Sequence, residues 1–202
     1  MRSTGRLIKH ILLIWFITFI PAHATTLLIL GDSLSAGHRM KISQSWPELL
    51  QSKFPTVTVI NASSSGETSS GGARRLPALL KRYQPNWCLI ELGGNDGLQG
   101  LPPTHLQQQL TTMIHYSQQA QCRVILSEIK LPENYGHRYN QAFTQVYHQL
   151  ATQFKIPLLP FFVEPIYQQP GMMQADGIHP SIQAQPIIAN SIAKFLKKLW
   201  DN

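Results

Sequence analysis

Only two cysteines, Cys88 and Cys122, occur in the 202 residues, which excludes a disulfide framework and a cysteine-based zinc site. Each opens an apolar, strand-like run, and whether they pair with each other stays open, because sequence does not fix the separation a disulfide requires. Charged residues are also few, at 13%. The basic ones are dispersed, adjacent only at Arg74-Arg75, Lys81-Arg82 and Lys197-Lys198. No basic stripe interleaved with aromatics is present, so a nucleic-acid partner is not expected. His38, His105, His115, His137, His148 and His179 are scattered without His-x-x-x-His spacing, so neither a metal nor a cofactor is expected. No repeat, low-complexity tract or Pro/Ser/Gly-rich linker divides the chain, which predicts one domain.

Long apolar runs are missing as well. The longest, Ile11 to Ile20, is about half the roughly 20 residues a spanning helix needs. Arg2, Arg6 and Lys9 precede it and Ala22-His23-Ala24 follows it, the pattern of a secretory signal peptide over residues 1–24 with cleavage near Ala24. The domain is then residues 25–202. No cysteine near the cleavage point offers a thiol for lipid attachment. Removing residues 1–24 leaves 14 Lys and Arg against 10 Asp and Glu, a net of +4. The expectation is a soluble periplasmic or secreted monomer.

What is present is an alternation. Apolar runs at Thr26 to Leu30, Val57 to Ile60, Trp87 to Leu92, Arg123 to Ser127 and Pro157 to Leu159 read as buried strands. Helical patterns lie between them: Trp46 to Lys53 behind a Ser45-x-x-Glu48 capping box, Ala73 to Tyr83, Thr104 to Ala120 behind Thr104-x-x-Gln107, Tyr139 to Phe154 and Ser181 to Leu199. Strand–helix alternation over this length predicts a three-layer α/β/α sandwich around a five-stranded, mostly parallel sheet. Ligands of such sheets bind beyond the carboxyl ends of the strands.

Every candidate residue falls there. Ser33 follows the first strand in Gly31-Asp32-Ser33, Gly66 follows the second, Asn95 follows the third in Gly93-Gly94-Asn95-Asp96, and Asp176-Gly-Ile-His179 follows the fifth. A serine hydroxyl needs a base within hydrogen-bond reach to become a nucleophile. His179 is the candidate base, and Asp176, three residues upstream across a turn, can orient it and stabilise the imidazolium. The backbone N–H groups of Ser33 and Gly66 and the side-chain amide of Asn95 are candidate donors to an oxyanion. Taken singly, Gly66 and Asn95 read as turn residues and Asp176-Gly177 as an ordinary turn. Their joint placement at one sheet edge favours the catalytic reading.

These four blocks resemble those of the SGNH, or GDSL, hydrolase superfamily. Leu28 to Met40, Leu92 to Leu98, Leu131 to Asn140 and Asp176 to Pro180 carry the similarity, which extends over nearly the whole domain. The resemblance implies a flavodoxin-like sheet, Ser33 as nucleophile, Asp176 and His179 as its partners, and Ser33, Gly66 and Asn95 as the oxyanion hole. It also implies small acyl ester and thioester substrates, lysophospholipids among them, and with them transient contact with membrane lipid. Leu131, Pro132 and Tyr135 would line the acyl groove. His38, where many relatives carry an aromatic residue, and the cysteine pair depart from the family pattern without touching its catalytic blocks. Two other readings remain at this stage, a short-chain or carbohydrate acetylesterase on the same scaffold and a lipid-binding protein without catalysis. The complete set of catalytic residue types argues against the second.

Overall fold

The structure is a computed structural model and describes residues 25–201; the signal peptide expected over residues 1–24 lies outside the described residues. Five strands form one parallel sheet: β1 (Thr25–Gly31), β2 (Val57–Asn61), β3 (Trp87–Glu91), β4 (Arg123–Ser127) and β5 (Leu158–Leu159), in the spatial order β2-β1-β3-β4-β5. Leu27, Leu28, Ile29 and Leu30 of β1 are all fully buried. Both faces of this interior strand are therefore covered, as an uninterrupted apolar run demands.

The helices are α1 (Ser33–Ala36), α2 (Trp46–Gln51), α3 (Ser69–Tyr83), α4 (Gly94–Leu98), α5 (Pro103–Gln119), α6 (His137–Phe154) and α7 (Gln185–Trp200). The step from β1 to β2 runs one way along the sheet, and the steps through β3, β4 and β5 run the other way. Right-handed crossovers then put α2 on one face and α3, α5 and α6 on the other. The packing agrees, with α3 against α5, α5 against α6, and α7 returning to α2. This is the expected α/β/α sandwich. The reversal occurs at β1, so the crevice opens between the carboxyl ends of β1 and β3.

Several local expectations change. No capping box forms at Ser45: its hydroxyl donates to Ile42 O at 2.7 Å and leaves the helix N–H groups uncapped by that side chain. Thr104 is not a cap either, because α5 already begins at Pro103 behind Pro102. α3 starts at Ser69 with Thr68 as its cap, four residues ahead of the expected Ala73. α7 starts at Gln185, because Ser181 N is turned back to Met172 O at 2.7 Å. Cys88 and Cys122 are both buried free thiols.

Candidate active site

The chain leaves β1 at Gly31 and turns at Asp32 straight into the single helical turn α1. Asp32 caps that turn by accepting a hydrogen bond from Leu34 N at 3.0 Å. Ser33, the first helical residue, is thereby held at the mouth of the crevice, while the neighbouring Asp32, Leu34 and Ser35 are buried. Its Oγ lies 2.8 Å from His179 Nε2.

His179 comes from the loop ahead of α7. Asp176 Oδ2 is 2.9 Å from His179 Nδ1, and Asp176 Oδ1 accepts from the backbone N–H of both Ile178 and His179 at 3.0 Å. Gly177 supplies the positive φ, +69°, that this tight turn requires. Burial works to raise the Asp176 carboxyl, but the hydrogen bonds from His179 N, Ile178 N and the His179 ring outweigh it and hold the group well below the usual carboxylate range. Asp176 thus carries a negative charge directly against the imidazole.

Gly66 and Asn95 complete the rim. The loop after β2 is stitched to the turn after β3: Ser69 N and Oγ both donate to Asp96, at 2.8 and 2.5 Å, and Asn95 Nδ2 donates to Glu67 O at 2.9 Å. Asn95 Nδ2 also donates to Asp32 Oδ2 at 3.2 Å, which couples it to the turn that carries Ser33. Gly66 has φ +78° and open space where a Cβ would stand. The backbone N–H groups of Ser33 and Gly66 donate to no protein acceptor among the described residues.

Ser33, Gly66, Asn95 and His179 all line one cleft of about 920 Å³. The cleft continues past Leu98, Ile129, Leu131 and Pro132 to Phe161 and Val163. Leu131 and Pro132 are among its lining residues. Tyr135 does not line the cleft: its hydroxyl donates to Leu98 O at 3.1 Å, so it supports a lining residue. A volume of this size with an apolar floor suits a small organic ligand with a hydrocarbon tail.

Two features of the site are not legible from spacing. His38 stacks on His179 with ring centroids 4.0 Å apart and planes inclined by 22°; burial, then repulsion from His179 and Arg39, lowers its readiness to protonate. His38, Asp176 and His179 also bring ligand atoms within 4.8 Å of one another, a grouping that no His-x-x-x-His spacing marks in the sequence. The His179 nitrogens are engaged with Asp176 and Ser33, and near-parallel rings direct their lone pairs side by side instead of at one point, which fits a metal poorly. The second feature is a buried carboxyl, Glu91, beneath the Ser33 turn.

Residues 29–185 match the GDSL-like lipase/acylhydrolase family. The chain belongs to that family. It is 54% identical over 184 residues to thioesterase 1/protease 1/lysophospholipase L1 of Escherichia coli (strain K12), covering 91% of this chain and 88% of that protein. It is 48% identical to esterase TesA of Pseudomonas aeruginosa, covering 88% of this chain and 90% of that protein. Among solved structures, the psychrotrophic esterase EstA from Pseudoalteromonas superposes with a TM-score of 0.85 at 42% identity, over 88% of this chain and all of that one. This GDSL-family chain is an ester hydrolase, and its parallel sheet is the sheet of the family.

Proposed function

We propose that this hydrolase cleaves carboxylic esters and acyl thioesters through an acyl-enzyme on Ser33, and that lysophospholipid, acyl-thioester and aryl-ester substrates share the one cleft. The observation that carries this reading is the unbroken chain Asp176–His179–Ser33, with contacts of 2.9 and 2.8 Å, ending at the mouth of a mostly apolar cleft. Ser33 Oγ attacks the acyl carbonyl while His179 Nε2 takes its proton, and the ionised Asp176 stabilises the resulting imidazolium. The carbonyl oxygen, now an anion, is met by the N–H groups of Ser33 and Gly66 and by the Asn95 amide. As the tetrahedral centre collapses, the imidazolium returns the proton to the departing alkoxide or thiolate. Water then repeats the sequence on the acyl-enzyme, with His179 as base, and frees the acid and Ser33.

The substrate range follows the names of the relatives, which include a thioesterase/lysophospholipase and an arylesterase. The apolar wall formed by Ile129, Leu131, Pro132, Phe161 and Val163 favours a long acyl chain, since remote apolar binding can be used to stabilise the transition state. We place the enzyme in the periplasm after removal of residues 1–24, in keeping with their charged, apolar and small-residue segments. No helix among the described residues is long and apolar enough to cross a membrane.

Diethyl p-nitrophenyl phosphate tests the nucleophile. The expected result is one covalent adduct, located on Ser33 by peptide mass spectrometry, with activity lost in step with labelling. Full inhibition with the adduct on another residue would overturn the assignment.

A further inference from the structure

Glu91 ends β3 directly beneath the turn that carries Ser33 and is fully buried. One carboxyl oxygen, Oε2, meets Ser35 Oγ at 2.6 Å and accepts from Asp32 N at 3.3 Å. The other, Oε1, is buried without a hydrogen-bond partner. Gly31 makes room for this group: a Cβ there would stand 2.6 Å from Glu91 Oε2 and 2.9 Å from Ser35. The Gly31 of the Gly-Asp-Ser sequence is thus required by the carboxyl packed against it, and its φ is not in the left-handed region.

The surroundings decide the charge of this carboxyl. Asp32 faces it from the N-terminus of α1, Asp96 of α4 and Glu67 of the preceding loop face Asp32 in turn, and the hydroxyl of Tyr147 on α6 senses Glu91, Asp32 and Asp96. Every one of these is an acid, and among the described residues no cation is within salt-bridge reach of Glu91 or Asp32; Arg75 pairs with the outer Glu67, at 2.7 Å. Burying a carboxylate with no cation beside it is costly, so the group keeps its proton instead. Burial, then the proximity of Asp32, pushes Glu91 well above the ordinary carboxylic range.

We propose that Glu91 is a positioning residue of the hydrolytic site and that it acts as a neutral acid, pinning Ser35 and the Asp32 amide so that Ser33 Oγ stays on His179. The link continues outward, because Asp32 Oδ2 holds the Asn95 amide. One group beneath the sheet edge therefore sets the nucleophile and, in the resting cleft, the place from which the Asn95 amide turns to the oxyanion. The neutral form has a purpose: an ionised Glu91 would set a negative charge under the place where the carbonyl oxygen gains one. The inference rests on Ser33 as nucleophile, which Ser33→Ala and the phosphate label test by themselves.

Glu91→Gln and Glu91→Leu test it. Gln keeps a neutral polar group able to bond Ser35 and the Asp32 amide; Leu keeps volume and loses both bonds. Glu91→Gln is expected to retain at least a third of the kcat on a p-nitrophenyl ester, and Glu91→Leu to lose at least 30-fold in kcat with KM within twofold. Both are to be compared at temperatures well below each variant's own Tm, so that loss of folded enzyme does not enter. The gain in Tm of Glu91→Gln over the parent is expected to grow between pH 5 and 8, because only the parent must hold a proton that its unfolded chain releases. Equal loss in both variants would show that the ionised form is needed, and full activity in Glu91→Leu would show that no positioning occurs. A Tm difference that does not change with pH would show that Glu91 is not held neutral. Any of the three overturns the proposal.

Discussion

Asn95 has two side-chain N–H bonds, and in the resting cleft both are engaged, one with Glu67 O at 2.9 Å and one with Asp32 Oδ2 at 3.2 Å. In the proposed mechanism the amide gives up the longer of these to serve the oxyanion. Its stabilisation then appears in the transition state and not in the bound substrate, which is the condition for raising kcat. Asn95→Ala is expected to lower kcat by about 10²- to 10³-fold with little change in KM; steady-state kinetics that placed the loss in KM would make Asn95 a substrate-positioning residue. In the proposed mechanism Asp176 acts differently, through an ionised carboxylate held low by three hydrogen bonds. Asp176→Asn is expected to cost up to about 10⁴-fold in kcat, by favouring the wrong tautomer of His179. The depressed carboxyl also contributes stability that is present above the unfolded aspartate value of about 4 and is lost as pH falls through its folded value. The Tm difference between Asp176→Asn and the parent should therefore be constant from pH 6 to 8 and shrink on acidification. The carboxylate stays ionised through mild acid, so loss of kcat/KM on mild acidification does not report protonation of Asp176.

At the scale of elements, Gly93 and Tyr147 fix how β3 passes into α4. Gly93 has φ +121°, and a Cβ there would collide with the Tyr147 hydroxyl, which donates to Leu92 O at 2.9 Å. Tyr147→Phe should cost about 1 to 3 kcal/mol, because it leaves a buried carbonyl unpaired. Gly93→Ala should cost more, since backbone strain adds to a clash that the fully buried Tyr147 cannot relieve; urea denaturation of the two variants orders them. The strands were readable because four of the five are near-continuous apolar runs, and buried parallel strands need nothing else. The helix starts were not. Gly71 and Gly72 weaken the helical pattern ahead of Ala73, yet both belong to α3, where a Cβ at Gly71 would meet Glu67 and one at Gly72 would meet Leu92. Close packing at that corner outweighs propensity. α1 and α4 have four and five residues, too few to show a 3.6-residue period, and the expected caps at Ser45 and Thr104 were displaced by a 3-10 turn and by Pro102-Pro103.

At the scale of the molecule, the reversal of strand order at β1 brings Ser33, Gly66, Asn95 and the Asp176–His179 loop, which span more than half the chain, to one edge. This part of the site was legible because topology alone predicts it once the strands are placed. The stack of His38 on His179 and the carboxyl of Glu91 were not legible, because each depends on side-chain contacts across elements that no spacing rule encodes. The buried acids also leave a mark on the whole protein. Burial, opposed by hydrogen bonds from Leu34 N and Asn95, raises Asp32 to about 7. A raised carboxyl stabilises the fold fully below its unfolded value of about 4 and progressively less as pH rises through its folded value.

The central claim, a serine-dependent hydrolase with a cleft fitted to long acyl chains, is tested most directly by kcat/KM on p-nitrophenyl decanoate and p-nitrophenyl acetate, measured on the protein and on Ser33→Ala. The account predicts a higher value on decanoate and loss of turnover on both substrates in Ser33→Ala. A preference for acetate would contradict the long-acyl cleft and indicate an acetylesterase, and turnover that survives Ser33→Ala would contradict the mechanism.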